Sequence, residues 1–239
     1  MKRVRYSIAA LSLFFALDGD LRADGLDSGN YWYTPTPDVN RLYEVATDPS
    51  PARLDELPGV FMTVTTLKDP GKKKADKGHS CEAFTFVDYG AFSKWAHTEW
   101  GNRPQDYSRL KAHLMEKMFD RLDRIVPDIK DRVLFADIGT PLTNEYFVNS
   151  TRGNLYGTEK LLRNIGPFGF STRGDVRGLY LCGASTLGHG VAAATMSGVA
   201  VAKQVLGVRR DELLTGGGGE LRLYNAEDPA TWPGGVRPV

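Results

Sequence analysis

GLYLCGASTLGHGVAAATMSGVAVAKQVLG, residues 178–207, is the stretch on which the reading of the fold turns. Leu179 to Cys182 form a short apolar run after the turn signal Arg173-Gly174-Asp175, and predict a buried strand. Gly183, Gly188 and Gly190 follow, in a loop that can bend tightly and admit a ligand to the backbone. From Val191 to Leu206 the residues are mostly Ala, Val, Met and other small groups, interrupted only by Gly198. They predict a helix of about four turns, buried and closely packed on nearly every face. Strand, glycine-rich loop and helix N-terminus together aim backbone N–H groups and the positive end of a helix dipole at an anion or a polar ring edge. The same spacing also suits a tight turn that binds nothing.

Working outward, the chain of 239 residues is long enough for one large or two small domains. A net charge of +1 favours neither nucleic acid nor an acidic membrane surface as partner. Lys72, Lys73, Lys74 and Lys77 read as a solvated loop between two strand-like segments. Cys81 and Cys182 do not form a disulfide framework, which points to a reducing compartment. His79 and Cys81 lie two apart, but no second pair completes a metal site.

The N-terminus has two readings. Lys2, Arg3 and Arg5 precede an apolar run from Ile8 to Leu17, the outline of a secretory signal. Against it, Asp18, Asp20, Arg22 and Asp24 crowd the place where small neutral residues precede cleavage. The run is too short to span a bilayer as a helix. As a strand it is apolar on both faces, as in a central covered strand.

Further along, a helix is expected around Val39 to Thr47, ended by Asp48-Pro49-Ser50-Pro51. GVFMTVTTL and CEAFTFVDYG alternate, the first with Met62 and Val64 on one side, the second with Phe84 and Phe86 on one face; they read as neighbouring antiparallel strands. A short helix is expected over Ala91 to Trp100. Tyr107 to Val126 is the clearest amphipathic helix, with Leu110, Leu114, Met118, Leu122 and Ile125 at steps of three and four. Residues 132–139 predict another strand, and Thr140-Pro141 an N-cap followed by proline at the first helical position. The tail from Thr215 is rich in Gly and Pro and reads as loose or draped over a partner. Without regular βαβ alternation, the class is α+β, a mixed α/β arrangement.

Three blocks now carry a resemblance. GLYLCGASTLGHGVAAATMSGVAVA, DIGTPLTNEYFVNSTRGNLYG and YSIAALSLFFALDGDL, in their order along the chain, resemble the C-terminal half of the phytoene-desaturase-like flavoproteins, which include carotenoid desaturases, carotenoid isomerases and retinol saturases. The similarity runs over roughly residues 6 to 207. It implies a substrate-domain-like region over 1–137, a return to an FAD domain over 138–207 and a tail over 208–239. It implies FAD as cofactor, held by the loop after Cys182: Gly183, Ala184, Ser185, Thr186, Gly188, Gly190, Val191 and Ala192. Gly183 and Ala184 would lie near the ribityl and pyrophosphate, and the N–H groups of Gly190, Val191 and Ala192 at the pyrimidine edge. Many relatives carry an acidic residue where this chain has Ala184, so only backbone contact is implied there. His189 is the candidate for proton transfer, since histidine titrates near neutrality; the bland alternative is a loop histidine. Tyr31, Trp32, Tyr146, Phe147 and Tyr156 are candidate walls of an apolar cavity, with ordinary core packing as the alternative for each. No metal is implied.

That family's FAD site opens on a Rossmann βαβ with a G-x-G-x-x-G turn. The spacing is absent here: Gly216 to Gly219 have no strand before them and no helix pattern after. Three readings stay open. The chain is one subunit of a split flavoenzyme acting on carbon–carbon double bonds of an apolar, isoprenoid-like or other lipid substrate, with a second chain supplying the N-terminal half. It is a truncated, non-catalytic homologue that binds lipid or a partner. Or it is secreted and the resemblance misleads. An amine-oxidase-like flavin reaction is an alternative within the first. The first reading places the chain in the cytoplasm, with peripheral membrane contact open.

Overall fold

The computed structural model describes residues 4–69, 78–214, 223–225 and 228–232. The lysine-rich loop and the tail glycines 216–219 lie outside them. The described residues form two compact units, one built on Ala9–Gly153 and the residues after 222, the other on the segment up to Ile8 and residues 154–214.

The larger unit is a five-stranded, wholly antiparallel sheet with helices, a mixed α/β arrangement of the α+β kind. Its strands are β1 (Ala9–Leu17), β2 (Asn30–Tyr33), β3 (Val60–Val64), β4 (His79–Val87) and β5 (Val133–Gly139), in the spatial order β2-β3-β4-β1-β5. The apolar run near the N-terminus is thus an interior strand, paired with β4 over its length and with β5 from Ser12 to Leu17. The structure corrects the expectation that both its faces are covered. Leu11, Leu13, Phe15 and Leu17 are buried on one face, whereas Phe14 on the other is 48% exposed.

The buried face packs on α3 (Gln105–Leu122), whose Leu114, Met118 and Leu122 are fully buried. Phe119 meets Phe15 edge-on at 5.6 Å between ring centroids. Apolar side chains at steps of four make this one stripe, and removing that stripe from water is what holds helix to sheet. Helix α1 (Val39–Thr47) is capped by the Asp38 carboxylate, which accepts from Arg41 N–H. A short helical turn, α2 (Thr65–Lys68), follows β3, and the helix expected over Ala91 to Trp100 is a 3₁₀ segment over Tyr89–Trp95.

Helix α4 (Pro141–Val148) begins as the Thr-Pro pair requires. Thr140 Oγ1 accepts from Leu142 N–H, and Thr143 Oγ1 accepts from Thr140 N–H. Tyr89, Glu145 and Arg152 then tie the end of α4 to the 3₁₀ segment. The Tyr89 hydroxyl donates to Glu145 at 2.7 Å, Arg152 N–H donates to the other oxygen of the same carboxylate, and the Arg152 guanidinium lies over the Tyr89 ring.

Two acids of this unit hold their protons to unusually high pH. Burial in β4 pushes the Cys81 thiol up to about 12, and burial with the hydrogen bond to Glu145 pushes the Tyr89 phenol up to about 12. In the unfolded chain both lose the proton earlier, near their ordinary values of 9.0 and 10.0. The folded state therefore binds more protons in that window, and their contribution to stability is full below pH 9 and declines from there to pH 12. We expect the urea midpoint to fall steadily above pH 9, with a shallower fall in Cys81→Ala.

The smaller unit starts from the segment Arg5–Ile8. Ser7 N–H donates to Gly157 O, Leu155 N–H to Ile8 O and Glu159 N–H to Arg5 O, so this segment is laced to residues 155–159. Two helices follow, α5 (Gly190–Leu206) and the short α6 (Arg210–Leu214). The helix expected over Val191 to Leu206 is therefore present, but its expected burial is not. Ser197 is its single buried residue, and Val191 is 87% exposed. Among the described residues of this unit the buried side chains are Thr158, Thr186 and Ser197, while Leu162, Phe168, Leu187 and Val191 are exposed. No described helix in either unit is long and apolar enough to cross a membrane.

Candidate functional site

The glycine loop belongs to the smaller unit. Leu179 to Cys182 do not form the buried strand that their composition predicts. Tyr180 makes a single bridge to Arg173, and Leu179 and Leu181 are 49% and 40% exposed. A strand needs neighbours along its length; here Leu181 N–H donates to Thr172 O, Leu179 O accepts from Gly174 N–H, and Leu179 N–H turns back to Val176 O. The turn over Gly183 to Leu187 is tight. Gly183 O accepts from both the backbone N–H and the hydroxyl of Thr186, and Gly183 N–H donates to Ser197 Oγ at 2.6 Å. His189 stands before the first residue of α5, and no side chain caps the helix. The first-turn N–H groups of Gly190, Val191 and Ala192 have no acceptor within the helix and meet the outside at its positive end.

The turn over residues 154–158 packs against this loop. Tyr156 lies beside His189 with ring centroids 4.6 Å apart, and Thr158 Oγ1 donates to Ser185 O. Gly157 has φ +74°, and a Cβ there would stand 2.5 Å from Ser185 Oγ and 3.1 Å from Ser185 N. Two of the three sequence blocks thus meet here, and Gly157 is where they touch. Gly157→Ala should cost about 2 kcal/mol through the strained backbone and the displaced Ser185. Thermal unfolding against Gly198→Ala checks it, since a methyl at Gly198 meets nothing within 4 Å.

The aromatic candidates fall in separate places. Tyr31 and Trp32 belong to the edge strand β2. Tyr31 packs on the core, and its hydroxyl donates to Asp27. Trp32 lies on the opposite face, 60% exposed, against Phe61 at 5.1 Å and Phe84 at 5.7 Å. The register puts Trp32, Phe61 and Phe84 in one line across three strands, with Phe86 packed on Phe84. Phe14 lies on the same face of neighbouring β1. Tyr146 and Phe147 are on α4, which follows the other edge strand, β5; Trp100 stacks on Tyr146 at 5.4 Å and meets Phe147 edge-on. Tyr156 is in the smaller unit. Phe14, Phe61, Phe84, Phe86 and Trp100 are not among the candidates; the alternation of Phe84 with Phe86 is the available signal.

Among the described residues no group of three or more His, Cys, Asp or Glu could hold a metal ion.

No family model matches the chain. It is similar to all-trans-retinol 13,14-reductase of Danio rerio, 28% identical over 163 residues, which cover 66% of this chain and 26% of that protein. The Homo sapiens protein of the same name is 24% identical over 208 residues, 85% of this chain and 34% of the relative. Prolycopene isomerase 1, chloroplastic, of an Oncidium hybrid cultivar is 30% identical over 156 residues, 63% and 25%. These similarities support the carotenoid and retinol desaturase-like family as the one this chain resembles. The chain spans about a quarter to a third of the length of these relatives.

Proposed function

We propose that the chain forms the C-terminal part of an FAD-dependent oxidoreductase that acts on carbon–carbon double bonds of an apolar, isoprenoid-like substrate. The similarity to proteins named for the reduction of retinol and the isomerisation of prolycopene carries this reading, because both names are of reactions on apolar isoprenoids. The larger unit belongs to the substrate side, and residues 138–207 include the return to the cofactor side.

The loop of the smaller unit fits one end of such a cofactor. Gly190 leaves the backbone approachable, with nothing within 4 Å of where a Cβ would stand, and the uncapped N–H groups of Gly190, Val191 and Ala192 suit a polar ring edge or negative charge. Ala184 offers no carboxylate to a ribityl hydroxyl. FAD, when bound, supplies hydride exchange with a carbon–carbon double bond. The residues of this chain bind and orient. Gly190, Val191 and Ala192 would hold the ring edge, and His189, its ring beside that of Tyr156, is the candidate for proton transfer. Trp32, Phe61, Phe84 and Phe86 offer a row of aromatic rings on one face of the sheet, an apolar surface for such a substrate.

The proposal includes a further polypeptide segment that carries the Rossmann half. Exposure of Leu162, Phe168, Leu187 and Val191 supports it, since apolar side chains in a small unit call for a covering surface. Peripheral contact with the membrane that holds such a substrate belongs to the same reading.

The test is anaerobic titration of the native, flavin-loaded protein with all-trans-retinol and with a carotenoid, following the flavin spectrum. A spectral change with either supports the proposal, and Trp32→Ala should weaken binding about tenfold, the effect of losing an aromatic anchor from a binding surface. A flavin that responds to neither but responds to an amine would establish the amine-oxidase-like alternative.

A further inference from the structure

Gly183 stands first among the loop residues expected to touch a ligand, yet both of its backbone groups are turned inward. Its carbonyl accepts from Thr186 N–H at 3.1 Å and from the Thr186 hydroxyl at 2.8 Å. Its N–H donates at 2.6 Å to Ser197 Oγ, fourteen residues on and two turns into α5. Ser197 in turn donates its hydroxyl proton to Ala194 O at 2.6 Å. The Ser197 hydroxyl is therefore used as acceptor and as donor at once. It is also 0% exposed, in a helix whose other side chains are half-buried or exposed.

A polar group so placed needs a reason. Serine inside a helix commonly returns its proton to the carbonyl of the preceding turn, at no gain in helix stability. Alanine, the better helix former, flanks it on many sides and would be the default at this position. What serine adds is the lone pair that receives Gly183 N–H. Gly183 itself has φ +102°, a conformation that L side chains rarely adopt, and a Cβ there would meet nothing within 4 Å. The glycine is required by backbone shape, not by space.

We infer that Ser197 is a positioning residue: with Gly183 and Thr186 it clasps the loop to α5, and the ligand contacts pass to the residues after Leu187, whose N–H groups the clasp delivers at the start of the helix. This rests on the proposed flavin site for its purpose, but the clasp itself is a statement about the loop. Ser185 extends it to the neighbouring turn, because its carbonyl accepts from Thr158 while its side chain abuts Gly157. The loop is thus fixed from two sides and left open on the third, where His189, Gly190 and Val191 lie exposed.

The test compares the native protein with Ser197→Ala, Gly183→Ala and the control Gly198→Ala, each purified from the host that makes it. Two readouts are taken: hydrogen exchange at the Gly183 amide, and the affinity for FAD after its removal and return. The expected result is exchange at Gly183 about tenfold faster in Ser197→Ala, as for the loss of one buried hydrogen bond. FAD affinity should fall by a similar factor in Ser197→Ala and in Gly183→Ala, and not in Gly198→Ala. Unchanged exchange at Gly183 in Ser197→Ala would overturn the clasp. Faster exchange with unaltered FAD affinity would overturn its positioning role. A native protein without affinity for FAD would refute the proposed function, and the exchange rates would still decide the clasp. Should Ser197→Ala fail to fold, Ser197→Cys, which replaces the accepting oxygen by a weakly accepting sulfur, is read by the same two measurements.

Discussion

Replacing Leu13 by alanine should destabilise the larger unit by about 3 kcal/mol, within the range found for buried Leu→Ala changes. Leu13 is fully buried in the middle of β1, with β4 on one side and β5 on the other. It pairs with Ala83 and Ile138, both buried, so no flexible neighbour stands ready to close the space. The adjacent Phe14 sets the contrast. It is a larger side chain, but it points to the other face and is 48% exposed. Phe14→Ala should therefore cost about 1 kcal/mol or less by the area it removes from water, and should act instead on affinity for an apolar substrate. Urea unfolding of the two variants checks the first half. Comparable losses would mean that the two faces of the sheet are equally buried, and would remove the aromatic face as a binding surface.

Thr140→Val should cost about as much, although the two residues have the same shape. Thr140 is fully buried and does two things at once. Its hydroxyl oxygen accepts from Leu142 N–H at the first turn of α4, and it shares a 2.7 Å hydrogen bond with the Tyr107 hydroxyl. Loss of such a cap costs about 1 kcal/mol. The Tyr107 hydroxyl, on a side chain only 5% exposed, then loses its Thr140 partner at a further cost of about 1–3 kcal/mol. Thr140→Ser keeps both bonds and should recover most of the loss. The double variant Thr140→Val with Tyr107→Phe should be less damaged than the sum of the singles, because the pair is removed together. Full additivity in thermal unfolding would mean that the bond carries no coupling.

Both residues bear on what the amino-acid order discloses. β1 was legible as one of two readings: an apolar run interrupted only by Ser12 is too short to cross a membrane as a helix, while the basic residues before it also outline a secretory signal. The start of α4 was legible from two residues, a capping threonine and a proline whose missing N–H costs nothing at the first helical position. α3 showed as a stripe, though it ends at Leu122, with Ile125 and Val126 in the turn that follows. The failures have a common cause. Apolar composition predicted burial for Leu179 to Cys182 and for α5, but burial is a property of what lies opposite, and the local pattern carries no record of that. Alternation placed Phe84 and Phe86 on one face, yet the line of Trp32, Phe61 and Phe84 depends on strand register, which is set by long-range pairing. The candidate loop was found by its glycines. Ser197, which fixes that loop, was passed over as one small residue among others in the helix.

The proposed function requires that this chain serve a flavin. The most direct measurement is the flavin content of the native protein, isolated from its own cells without added cofactor, by visible absorption and by the nucleotide released on denaturation. The account predicts one FAD for each copy of this chain, retained through gel filtration together with whatever polypeptide completes the site. A homogeneous native protein that carries no flavin, and takes up none when FAD is supplied, would contradict it.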